Sequence, residues 1–84
     1  MKYKAQIDIM PMDELLDPQG KVVTHSLHNL GLNNVSNARI GKHITMLVEA
    51  DSETSASNQV ETACRQLLAN LIMEKFSFRL EPVE

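Results

Sequence analysis

Apolar residues fall on every second position from Tyr3 to Ile9 (Tyr3, Ala5, Ile7, Ile9), with Lys4, Gln6 and Asp8 between them. Successive side chains of an extended chain point to opposite sides, so this stretch predicts a strand with one wet face. Pro11 has no N–H to donate and ends the ladder, and residues 13–16 form a short connection. Asp17-Pro18-Gln19-Gly20 then predicts a helix start: Asp17 accepts from a free backbone N–H as N-cap and Pro18 fits the first helical position. Val23, Leu27 and Leu30 recur at i, i+4 and i+7 as a stripe that can be buried, and Gly31 suits a left-handed terminator.

A second extended region covers residues 35–50, strongest where Ile44, Met46, Val48 and Ala50 alternate and weaker from Val35 to Ile40. Gly41-Lys42 interrupts it, either as the turn of a tight hairpin or as a bulge in one long bent strand. Residues 51–57 are polar and form a loop and helix start in which several side chains compete to be the cap. Val60, Ala63, Cys64, Leu67, Leu68 and Leu71 give the clearest helical stripe in the chain. Period two returns with Phe76, Phe78 and Leu80 facing away from Ser77 and Arg79, and Pro82 closes that strand.

The order strand, helix, long strand or hairpin, helix, strand predicts an α+β fold in a single domain spanning residues 1–84. Its expected form is a βαβ(β)αβ two-layer sandwich, an antiparallel sheet with two helices on one face, because each element has one apolar side to bury. On the opposite sheet face Met10 and Leu47 are expected to leave an apolar area for a second copy to cover, which predicts homo-oligomerisation through the sheet.

Chain length sharpens that expectation, since a core built from so few residues supplies only about 3–5 kcal/mol without disulfides, metals or assembly. Cys64 is the only cysteine, which excludes an intrachain disulfide and a cysteine-rich zinc site and fits an intracellular chain. Lys and Arg total 8 against 11 Asp and Glu, a net charge of −3 that repels nucleic acid. The first residues alternate rather than forming an apolar leader, and no run approaches a membrane span, so a cytoplasmic protein with no membrane partner is expected.

Candidate chemistry is sparse. His25 and His28 share a helix face at i and i+3, with His43 and Cys64 elsewhere, but surface histidines without further ligands are a weak metal signal. Cys64 lies in an apolar stripe, where a thiol behaves as a small hydrophobe, and Asp13, Glu14 and Asp17 are used by a loop and a cap. Arg39 and Lys42 beside Gly41 have the composition of a small anion site, although two solvated cations at a surface turn account for them more simply. No catalytic, cofactor-binding or metal-binding residue is assigned.

Leu16-Asp17-Pro18-Gln19-Gly20, then Val23, His25, Leu27 and His28, then Arg39-Ile40-Gly41-Lys42, then Cys64 and Leu67-Leu68-Ala69-Asn70 resemble the PurS family in order and spacing. The resemblance implies a non-catalytic subunit of phosphoribosylformylglycinamidine synthase in de novo purine biosynthesis. Such a subunit bridges the glutaminase PurQ and the ATP-dependent synthetase PurL, supports ammonia transfer between them, and is itself a homodimer or dimer of dimers. ATP, magnesium and glutamine are then used by the whole complex and none is bound by this subunit. By matching positions, the implied partner-contact residues are Asp17, Pro18, Gln19, Gly20, His25, Arg39, Gly41 and Lys42, with Arg39 and Lys42 orienting docking through ion pairs. Met12-Asp13-Glu14 departs from the family where a lysine is common, and Val22 and Ser26 depart where small alanines are common. The competing reading is a small regulatory module that holds a ligand between subunits.

Overall fold

β1 (Lys2–Pro11) is the centre of the sheet in the computed structural model, which describes residues 1–83. β2 (Lys42–Glu49) and β3 (Glu74–Val83) pair with it on either side, both antiparallel, in the order β2-β1-β3. Ile7 sits opposite Ile44 on β2 and Phe78 on β3, so the three apolar alternations fall on one face. That register follows from the pattern itself, because a slip of one residue would turn every apolar side chain to water. β3 runs through Pro82, which an edge strand tolerates.

α1 (Pro18–Asn29) and α2 (Glu53–Ala63) complete the expected α+β set. Ser52 is the cap of α2, accepting the Ser55 N–H at 3.1 Å. Ala56, Val60 and Cys64 recur every fourth residue and are fully buried against Tyr3, Ala5, Ile7 and Ile9. α2 is thus the helix that covers the sheet.

Its last turn departs from the expected stripe. Residues Cys64–Leu68 form a π turn, closed by the Ala69 N–H donating to the Cys64 carbonyl at 2.9 Å. One extra residue in a turn rotates the downstream side chains by about 100°. Leu68 stays packed on the core while Leu67 is turned outward, 81% exposed, and Leu71 is also exposed rather than buried.

The 35–50 region is neither a hairpin nor a long bent strand. Only residues 42–49 are extended in the sheet; residues 30–41 form a loop. Side chains of the first helical region take the backbone donors that a longer strand would have needed: Thr24 Oγ1 accepts from Ala38 N–H at 3.0 Å and Asp17 Oδ2 from Ile40 N–H at 2.7 Å. Asn37, just before Ala38 in sequence, is in the left-handed region with φ 57°.

α1 meets this loop rather than the sheet, and Gly20 is its only buried residue. Gly31 terminates it with φ 91°, as expected. The stripe of Val23, Leu27 and Leu30 is not buried as expected: Leu27 is half-buried, Val23 is exposed and Leu30 is 76% exposed.

The sheet face turned away from α2 is also different from expectation. It carries Lys2, Lys4, Gln6 and Asp8 on β1 and Lys75, Ser77, Arg79 and Glu81 on β3, with Leu47 its one exposed large apolar residue. Gln6 lies between Arg79, at 3.0 Å, and Glu81, and Asp8 accepts from His43 at 2.6 Å. A second copy has little apolar area to cover there. The incomplete side is the one α2 occupies, where Phe76, Phe78 and Leu80 remain partly open.

Candidate interaction surface around the first helix

The segment before α1, its first two turns and residues 35–42 hold all eight positions expected to face partners. Several have work inside the chain. Asp17 occupies the N-cap position with φ −113° and ψ 97°, but its carboxylate is taken by the Ile40 N–H across the loop instead of closing a regular cap. That hydrogen bond first, and the nearby Gly20 N–H second, hold the Asp17 carboxyl below the ordinary carboxylate range.

Arg39 donates from Nη2 to the carbonyls of Met12, at 2.8 Å, and Leu15, at 2.9 Å. Its guanidinium is therefore a stitch between the loop after β1 and the segment before β2, in place of the free docking cation expected. Gly20 and Gly41 mark close backbone approaches: a Cβ at Gly20 would overlap the Ala38 carbonyl oxygen, and one at Gly41 would overlap Met10 and the Ile9 carbonyl oxygen. The Cβ side of Gly41 is thus filled by Met10 and Ile9, and Lys42 leans 3.6 Å from Glu74 Oε2. Pro18, Gln19 and His25 remain on the surface.

His28 Nε2 lies 2.6 Å from the Val35 carbonyl oxygen, so this nitrogen carries the proton and donates it. With one ring nitrogen so occupied, His28 fixes the loop and does not pair with His25 around a metal through that atom. Among the described residues no group of three His, Cys, Asp or Glu is gathered for a metal. Burial pushes the Cys64 thiol up, with Glu61 adding to the shift, which leaves it a packing residue. Asp13, held below its ordinary range by Lys75 at 3.0 Å, closes the loop after β1 onto β3.

Two features of this region escape sequence reasoning. One is a groove between α1 and residues 37–39, lined by Lys21, His25, His28, Asn37 and Arg39. The other is an apolar strip of Pro18, Val22, Val23 and Ile40 on the neighbouring side of the helix. The groove joins helix and loop residues far apart in sequence, and only the loop path brings them together; the strip was partly visible in adjacent Val22 and Val23.

Residues 4–82 match the family PurS: Phosphoribosylformylglycinamidine (FGAM) synthase. The phosphoribosylformylglycinamidine synthase subunit PurS of Synechocystis sp. is 40% identical over 82 residues, covering 98% of this chain and 82% of that protein. The crystal structure of PurS from Methanocaldococcus jannaschii, one of the subunits of formylglycinamide ribonucleotide amidotransferase, superposes with a TM-score of 0.86 at 30% identity, covering 98% of this chain and 99% of that one. A chain of the PurLQS structure from Thermotoga maritima gives 0.89 at 30% identity, covering 96% and 99%.

Proposed function

The chain belongs to the PurS family, and from that premise we propose that it is the assembly subunit of phosphoribosylformylglycinamidine synthase in purine biosynthesis. It bridges the glutaminase PurQ and the synthetase PurL, supports transfer of ammonia between them, and works in the cytoplasm as a homodimer or dimer of dimers. ATP, magnesium and glutamine are handled by the other subunits. Pro18, Gln19, His25 and Lys42 face partners, while Asp17, Gly20, Arg39 and Gly41 set the shape of that surface from beneath.

One observation carries this reading from the molecule itself: the folded chain is unfinished. Its Cα radius of gyration is 16.4 Å and its extents are 51 × 29 × 14 Å. A compact domain of this length has a radius of roughly 12 Å. Leu16, Val22, Leu30, Leu67 and Ile72 are each more than 60% exposed. An extended shape with these apolar side chains uncovered supports a component of something larger. No helix among the described residues is long and apolar enough to cross a membrane.

Reconstitution tests it. PurQ and PurL mixed with this protein are expected to form product from glutamine much faster than the pair alone, with ammonia-driven synthesis by PurL far less affected. An equal glutamine-dependent rate with and without it would remove the role.

A further inference from the structure

The groove beside α1 gathers side-chain donors that the chain itself does not use. Thr24 is used twice over, donating to Gly20 O and accepting from Ala38 N–H, both at 3.0 Å. The Asp17 carboxylate, the only one lining the groove, is taken by Ile40, and His28 Nε2 by Val35. Lys21, His25 and Asn37 are exposed, and none has an ion-pair or side-chain hydrogen-bond partner among the described residues. Arg39 adds a charge whose hydrogen bonds go to neutral carbonyl oxygens, with the Asp17 and Asp13 carboxylates near enough to feel it. This gathering stands out in a chain whose net charge is −3.

The arrangement is held before any partner arrives. Asn37 is fixed in its left-handed conformation because the hydrogen bonds at Val35 and Ala38 pin the loop on either side of it. Leu16, 68% exposed, forms an apolar rim. The lining has no Phe, Tyr or Trp, and its exposed Lys21, His25 and Asn37 donors beside apolar Leu16 suit a carboxylate with an apolar neighbour.

We propose that this groove seats an acidic segment of a partner polypeptide, with an Asp or Glu carboxylate on Lys21, His25 and Asn37 and an apolar side chain against Leu16. The proposal deepens the assembly reading and rests on it: it assigns a docking surface and the charge of what docks there. Close opposite charges across an interface speed encounter and fix register.

The test uses the full chain with purified PurL and PurQ, followed by sedimentation velocity. The variant Lys21→Glu with His25→Glu is expected to keep the melting temperature of the isolated protein, since both side chains are exposed and unpartnered, and to bind about tenfold or more weakly through like-charge repulsion. Lys21→Arg keeps binding near wild type. Added salt weakens the wild-type complex and moves the double variant much less. A wild-type complex that charge reversal leaves intact overturns this surface alone; failure of the wild type to bind either protein overturns the assembly reading and this one with it. A rise in wild-type melting temperature with ATP or inorganic phosphate, lost in the double variant, would make the groove a small-anion site and overturn the polypeptide occupant.

Discussion

Arg39 shows how one side chain can be legible in kind and misread in use. Its charge and its place beside Gly41 suggest a surface cation, yet its guanidinium spans to two backbone carbonyls of the loop after β1. Arg39→Ala is therefore expected to destabilise the isolated fold by about 1.5–3 kcal/mol, the range for hydrogen bonds to charged groups. Urea melts of the variant check this; an unchanged midpoint would return Arg39 to the free surface. Asp17 lends itself to a test by pH. Its folded pKa lies below the unfolded one, so its contribution is present above about pH 4 and is lost as pH falls through the folded value. Asp17→Asn is expected to be less stable than wild type at neutral pH, and the gap is expected to close as both are acidified. Parallel stability curves from pH 7 downward would show that the Ile40 hydrogen bond does not favour the charged form.

At the scale of elements, the loop of residues 30–41 is ordered by a helix instead of by a sheet. Thr24 and His28 lie one turn apart on α1 and hold Ala38 and Val35. Thr24→Val keeps the shape of the side chain and leaves the Ala38 N–H without its acceptor, at an expected cost of about 1 kcal/mol. Hydrogen exchange is the sharper readout: protection at Ala38 and Ile40 is expected to fall while β1 stays protected, and retained protection at Ala38 would contradict the strap. The π turn after α2 has a complementary effect. It keeps Leu68 on the core and sends Leu67 outward, so one helical stripe serves both the interior and the surface.

For the molecule as a whole, the single layer of α2 on three strands leaves Phe76, Phe78 and Leu80 partly open, and α1 projects with its own apolar residues uncovered. Assembly supplies what the chain cannot. Sedimentation equilibrium at micromolar concentration is expected to give a multiple of the 9.4 kDa chain mass. Because the outward sheet face is polar, substitutions there, such as Thr45→Lys, are expected to leave that mass unchanged, whereas Phe78→Glu is expected to lower it. A monomeric wild type would break the link between the open apolar surface and self-association.

The strands, both helices, the α+β class and the family resemblance were legible in the residues alone. Local periodicity and caps act over a few positions, and alternation such as Tyr3-Ala5-Ile7-Ile9 has only one extended solution with a dry face. The partner-facing role proposed for α1 rests, at the level of sequence, only on what that resemblance implies. Tertiary structure decided the rest: that residues 35–40 are loop, that Arg39 and Asp17 are internal ties, that Leu67 is outside, and that Lys21, His25 and Asn37 share a groove. These depend on which distant donors and acceptors meet. A hydrogen bond between Asp17 and Ile40, or between Thr24 and Ala38, leaves no periodic mark in the sequence, because its two ends are placed by the path of the chain between them.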